Sequence, residues 1–324
     1  MDINQAGGNG NITLTSNIGA DTSTAGVTGV TRIGNAATAD LSLDGTVYTT
    51  GDATTYRGAG IGLGGASPTF TTSADAITFG TGNVTIADGT LTVNSVGGLI
   101  DFEGSILGTS DEVLVLNADA ATDGASGNEK VIVAAIGSGD QIHSVNITGR
   151  DGITLQGNIT TSNKSSNNVS FTGPVAINAA TVAIDTNAAG NDGTVTFSST
   201  IDSATGTSRE LDIVSAGGNV TITGAIGATT ALATLDINQA GGNGNITLTS
   251  NIGADASNAG VTGVTRIGNA ATADLNLNGT VYTTGGATTY ASAGTDLGGS
   301  SPTFTTSADT ITFTGNVTLS LIHI

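Results

Sequence analysis

Residues 2–14, DINQAGGNGNITL, return letter for letter as residues 236–248, and the copy stays in register from Asp2–Phe79 to Asp236–Phe313 at an offset of 234. Of the 78 aligned positions 11 differ, at 22, 24, 42, 44, 52, 57, 58, 61, 62, 66 and 76. Ten of these exchange small or polar residues, and only Ile61 against Thr295 gives up an aliphatic side chain. The apolar pattern is the part held fixed. Self-similarity at a fixed period marks a stacked array, in which each unit needs its neighbours to bury a hydrophobic face.

A shorter period lies inside the long copy. Segments of the form apolar–Thr/Ser–apolar, entered by Gly, Asn or Thr, occur at Ile12–Leu14, Val84–Ile86, Ile153–Leu155, Val169–Phe171, Val195–Phe197, Val220–Ile222, Ile246–Leu248 and Val317–Leu319. The anchors 169, 195, 220 and 246 are spaced 26, 25 and 26, and the gaps 12 to 84, 84 to 153 and 246 to 317 are each close to three such steps. Apolar residues alternate with Thr, Asn or Ser, which is the two-residue period of a half-buried strand. A second strand type, Leu211-Asp212-Ile213 and Leu235-Asp236-Ile237, precedes the first. Strand, glycine turn, strand is therefore the unit. Such a coil is too small to close its own core, but stacked coils pair strand on strand and enclose one aliphatic interior.

The predicted fold is all-β: a parallel β-helix (β-solenoid) with roughly 24–25 residues per coil. Residues 1–319 read as one continuous array, with 2–79 and 236–313 as its duplicated segments; about 13 coils at about 4.8 Å each give a rod on the order of 60 Å. Val169, Val195, Val220 and Ile246 should stack in one inward row. Asn11, Asn83, Asn168, Asn219, Asn245 and Asn316 hold strand entrances, where their amides should form a ladder along the rod. Their Asn-x-Thr or Asn-x-Ser context matches the glycosylation pattern, but the coil produces that pattern unaided.

Composition narrows the function. Fifty Gly, three Pro, no Trp and 3% aromatics favour short strands, tight turns and a thin core of small aliphatic side chains. Seven Lys and Arg against 26 Asp and Glu give a charge of −19, which repels nucleic-acid phosphates and anionic lipid. No Cys is present, so disulfides and thiolate metal sites are excluded. No run of 18 apolar residues suggests membrane insertion in this segment, and its first residues lack the basic stretch and apolar core expected of a secretory leader. Met1 aligns with Leu235 inside a repeat unit, so the chain is expected to be a fragment that starts mid-array, and its uncapped coils should favour end-to-end self-association. The tail Ser320–Ile324 leaves the pattern and resembles the translation of a sequencing adapter, with a terminal strand as the other reading.

No residue stands out as catalytic, cofactor-binding or metal-ligating, and no cofactor is implied. Gly7–Asn11 and Gly241–Asn245 resemble the calcium nonapeptide only superficially, since Asn stands in place of Asp and the tandem spacing is missing. Weak calcium binding at Asp40 and Asp44 stays open, although Asn278 replaces Asp44 in the second copy. The cations Arg32, Arg57, Lys130, Arg150, Lys164, Arg209 and Arg266 are scattered singly, and His143 and His323 make no triad or metal cluster. Asp101 and Glu103 share one strand face, which solvation explains. Thr-x-Thr pairs at 13 and 15 and at 247 and 249 would suit ordered water on a flat wall, but Val84–Ala87 and Ile153–Gln156 interrupt them.

Gly10–Leu14 and Gly244–Leu248, alternating with Leu-Asp-Ile strands and long Thr, Ala and Gly loops, resemble the repeat region of large secreted bacterial adhesins of the filamentous-haemagglutinin type. The likeness spans nearly the whole chain but rests on coil pattern, with no diagnostic motif and no amino-terminal secretion domain. It implies a right-handed β-helical shaft, extracellular or at the cell surface, that engages host or bacterial glycans, proteins or other cells, without catalysis. The alternative is a carbohydrate-active β-helix of the polysaccharide lyase or hydrolase kind, with a groove on its outer wall.

Overall fold

The computed structural model describes residues 1–4, 6–73, 75–109, 111–119, 128–188, 191–307 and 309–319. Among these every regular element is a β-strand, and the strands stack in parallel from coil to coil as a β-solenoid. One two-residue hairpin, Asn187–Ala188 with Asn191–Asp192, is antiparallel. The chain forms two compact units, Met1–Lys164 and Ser165–Ile324.

The first unit has three walls. Ile12–Leu14, Asp40–Leu43, Gly60–Leu63, Asn83–Ile86 and Ile106–Leu107 build one. Val47–Thr50, Thr69–Thr72, Thr90–Ser95, Val113–Asn117 and Ser144–Thr148 build the second. Asp2–Ile3, Thr31–Ile33, Thr54–Tyr56, Ile77–Phe79, Ile100–Phe102, Lys130–Val133 and Gly152–Leu155 build the third. Alternation in the sequence decides which side chains go in: Leu41, Leu43, Ile61, Leu63, Val84 and Ile86 are all buried while the residues between them face out. Each such side chain contributes about 1.5–3 kcal/mol on burial.

In the second unit Val169, Val195, Val220 and Ile246 do stack in one buried row, which continues through Leu275 and Thr295. The coil length is less regular than the spacing predicts. Along Ile12, Leu41, Ile61, Val84, Ile106, Ile136 and Ile159 successive partners lie 29, 20, 23, 22, 30 and 23 residues apart. Loops at the corners absorb the difference, because pairing constrains only the strands. One phase assignment is corrected: Ile153 belongs to the third wall, stacked on Val131, and not to the wall of Val84. A gap of three average periods therefore does not guarantee the same wall when corners vary in length.

The interior is also less purely aliphatic than composition suggests. Tyr48 stacks on Phe70 at 4.5 Å between ring centroids, Phe79 on Phe102 at 4.4 Å, Phe171 on Phe197 at 4.7 Å and Tyr282 on Phe304 at 4.7 Å. Parallel in-register pairing puts identical positions above one another, so a few rings suffice to form ladders. Corners need glycine where coils touch: a Cβ on Gly218 would lie 2.0 Å from the carbonyl oxygen of Gly193, and one on Gly244 2.0 Å from that of Gly218. The tail Ser320–Ile324 lies outside the described residues.

Candidate functional site

The strand-entrance asparagines act along the axis, but not as stacked amides. The Asn168 Oδ1 accepts from the Thr194 amide at 2.8 Å, Asn219 from Asn245 at 2.9 Å, and Asn83 from Ser105 at 3.3 Å. Asn17 and Asn251 make the same bond at another corner, each taking two amides of the next coil. The expected ladder is thus side chain to backbone, because a corner leaves amides of the next coil without strand partners. The glycine-rich corners are held in the same way. Asn269 donates to the carbonyls of Asn238 at 2.7 Å and Gly242 at 3.0 Å, and Asn35 donates to those of Asn4 and Gly8.

Charged groups fall into small local sets. In the second unit Asp212, Asp236 and Arg266 face outward in consecutive coils, and Arg266 Nη1 lies 3.0 Å from Asp236 Oδ2. Burial, then Asp236 and then Asp185, raise the Asp212 carboxyl above the ordinary Asp range. In the first unit Asp2 and Arg32 repeat the pairing of Asp236 and Arg266 at 3.3 Å. Asp101 is raised by burial and then by Glu103, whose carboxylate faces Arg57 at 3.7 Å. Arg57 also lies across Gly80, and the second copy lacks both the arginine and the counterpart of that glycine.

The Glu129 side chain is only 1% exposed and pairs with Arg150, which also reaches Asp119 at 3.7 Å. Glu112, likewise buried, accepts from the amides of Thr109 and Asp111. His143 is half-buried, and its amide donates to the Glu112 carbonyl. Asp21 caps its own loop by accepting from Ser23 and Thr24, bonds that lower its carboxyl to about 2, led by the Ser23 hydroxyl. Asp44 accepts from the Ser42 hydroxyl at 3.0 Å. Among the described residues no group of three or more His, Asp or Glu is placed to hold a metal ion.

The most regular surface is an uncharged one that the sequence reading passed over. On the wall of the second unit built from Val169–Thr172, Val195–Phe197, Val220–Ile222 and Ile246–Leu248, every coil presents two hydroxyls outward. They are Ser170 and Thr172, then Thr196 and Ser198, then Thr221 and Thr223, then Thr247 and Thr249, with the second of each pair exposed, although the Ser198 hydroxyl donates back to the Phe171 carbonyl at 2.9 Å. The next coil continues with Asn276, which donates to the Thr247 hydroxyl at 3.4 Å, and then Asn278. Of the interruptions noted in the sequence, Ile153–Gln156 lies on the third wall of the first unit and Val84–Ala87 on its first wall. Neither interrupts these four coils. The signal was present as Ser/Thr-x-Ser/Thr at spacings of 26, 25 and 26, but only the register shows which pairs share a wall.

Compared with known protein families, curated proteins and solved structures, the chain gives no significant match.

Proposed function

We propose that the chain is a structural and adhesive shaft: part of a cell-surface or secreted bacterial exoprotein, akin to the filamentous-haemagglutinin type, that mediates attachment or cell-cell contact without catalysis. One observation carries this reading. Between the two copies the inward residues stay fixed except where Gly58 and Ile61 become the mutually bonded Ser292 and Thr295, while three outward charges are lost, Asp44 to Asn278, Asp52 to Gly286 and Arg57 to Ala291. A shaft demands a repeated core and tolerates drift on its surface, whereas an active site requires particular outward groups. Partners of this class are surface glycans or proteins, engaged by many weak contacts along the repeats. The test is attachment: beads coated with the folded chain, compared with beads coated with a heat-unfolded sample, are offered to bacterial and host cells. Equal retention by both would remove the adhesive reading.

A second reading, the carbohydrate-active β-helix, has one observation in its favour. Asp212 and Asp236 are register neighbours about 4.8 Å apart at Cα, one of them raised, an arrangement of the kind that glycoside hydrolysis uses. Release of reducing ends from a panel of polysaccharides, abolished by Asp212→Asn in a chain that stays folded by circular dichroism, would establish it in place of the shaft.

A further inference from the structure

The neutral wall of the second unit has a regularity that core building does not require. A strand needs polar residues outward, but not a hydroxyl at both outward sites of four successive coils. The first wall of the first unit shows the contrast: at the same outward position it carries Thr13, Ser42, Gly62, Thr85 and Leu107, and its strands pair without interruption.

Three properties define what the wall fits. Its spacing is a two-dimensional lattice, about 4.8 Å from coil to coil and about 6.7 Å between the two outward residues of a coil, the second of which ends the strand at Thr172 and follows it at Ser198, Thr223 and Thr249. That lattice is preset by the backbone pairing and by Asn168 and Asn219, which tie the first coil to the second and the third to the fourth, so little ordering remains to be done on binding. Its chemistry is nearly uniform: each hydroxyl can donate and accept except that of Ser198, whose proton goes to the Phe171 carbonyl and which offers a partner only its lone pairs, each Thr adds a methyl, and the eight positions carry no charge on a chain of net charge −19. Each contact is weak in isolation, since a bond to the partner replaces one to water. Useful affinity therefore requires a partner that meets all eight positions at once, and a flexible chain would lose conformational freedom in doing so.

A rigid, neutral, periodic, hydrogen-bonding solid meets these demands, which leaves ice or a crystalline polysaccharide. Sugar rings present C–H faces that favour exposed aromatic side chains, and this wall exposes none: Phe171 and Phe197 on these strands are buried and stacked on each other. We propose that this wall binds the surface of ice. Water held against the hydroxyls and between the methyl columns joins the crystal lattice, and the chain is retained at the growing front. The inference is independent of the adhesive reading, which concerns cells and glycans.

The test is ice partitioning with the whole chain. An ice boundary is grown slowly through a dilute solution, and the protein in the ice is compared with that in the liquid. Several-fold enrichment in the ice is expected. The double variant Thr221→Tyr/Thr247→Tyr lifts two rings out of the plane while leaving the buried neighbours in place, and should be excluded like an inert protein. Thr234→Tyr, outward on the Leu235 strand of another wall, should stay enriched. Circular dichroism and the melting temperature verify folding; should the double variant unfold, Thr223→Lys at an exposed position serves with the same readout. Exclusion of the folded wild-type chain from ice would overturn the proposal, as would equal loss in Thr234→Tyr. Retention on microcrystalline cellulose without ice enrichment, abolished by Thr221→Tyr/Thr247→Tyr, would reassign the wall to polysaccharide.

Discussion

Ser292 and Thr295 share a hydroxyl–hydroxyl hydrogen bond of 2.8 Å inside the solenoid, where they are 2% and 0% exposed. The first copy has Gly58 and Ile61 at these places, so two of its eleven differences are one coupled change. Ile61 fills the site with a side chain that needs no partner. Thr295 brings a hydroxyl into the same row, and Ser292 supplies the partner that keeps its burial from costing free energy.

The pair should behave non-additively in a double-mutant cycle. Ser292→Ala strands the Thr295 hydroxyl and should cost about 1–3 kcal/mol. Ser292→Ala/Thr295→Val removes both polar groups and should recover most of that loss. Denaturant unfolding of the two variants and of Thr295→Val measures the coupling, and additive costs would mean that the hydroxyls do not depend on each other.

The corner asparagines make a separate prediction. Asn251 Oδ1 accepts from the amides of Thr280 at 2.9 Å and Val281 at 3.0 Å. Asn251→Asp keeps an acceptor there, whereas Asn251→Ala leaves two amides to find water. Alanine should therefore cost about 1–2 kcal/mol and aspartate distinctly less, despite the added charge on an acidic chain. Melting temperatures at neutral pH, with Asn251→Leu as a variant of similar size that lacks the acceptor, decide between this and a purely steric role: leucine should lose about as much as alanine, whereas in a steric role it would match aspartate.

Much of this architecture is legible in the residues. Alternation in Leu41-Ser42-Leu43 and Val220-Thr221-Ile222 fixes which side chains enter, and the self-copy fixes stacking, because both follow from local periods of two and of about 25. The phase of each coil around the axis is not legible, since corners such as 19–26 lengthen one coil without altering its strands. That is why the spacing of Ile153 from Val84 points to the wrong wall and why the hydroxyl grid from Ser170 to Thr249 reads as interrupted in the sequence. The aromatic ladders escaped notice for a related reason: Tyr48 and Phe70 are far apart in sequence, and only the register places one ring 4.5 Å from the other.

Core and surface should respond on different scales. Ile246 is fully buried between Val220 and Leu275, so Ile246→Ala should cost about 2–4 kcal/mol by removing contacts that the neighbouring coils cannot restore. The Asp52 carboxylate accepts from the Ala53 amide at 2.7 Å, and Gly286 replaces it in the second copy. Asp52→Gly should then change stability by about 0.5 kcal/mol or less. Equal effects in urea unfolding would contradict a stability drawn from the stacked interior.

A buried charge offers a sharper test in the first unit. The Glu129 side chain is 1% exposed and depends on Arg150 for its counter-charge. Removing the cation alone should be costly, about 3 kcal/mol for Arg150→Ala, because the carboxylate cannot regain its hydration. Glu129→Gln/Arg150→Met should cost less than Arg150→Ala. Were the single variant the milder of the two, water would have to reach Glu129 freely.

The acidic row predicts how stability varies with pH. Asp212 has its carboxyl raised by burial first, then by Asp236 and Asp185, so its charged form is disfavoured in the folded chain. For a raised carboxyl the folded state binds the proton more tightly than the unfolded state does. Its contribution to stability is therefore fully present below the unfolded Asp value of about 3.9 and is lost as pH rises through the folded value. Asp212→Asn is insensitive to that loss, and should raise the melting temperature at pH 7 while giving a smaller gain, or none, near pH 3. Asp236 differs because Arg266 Nη1 sits 3.1 Å from its Oδ1 and 3.0 Å from its Oδ2. Asp236→Asn loses that ion pair and should gain nothing at pH 7. A melting curve in which Asp212→Asn is no more stable than wild type at pH 7 would show that solvent screens the row and that its carboxylates act independently.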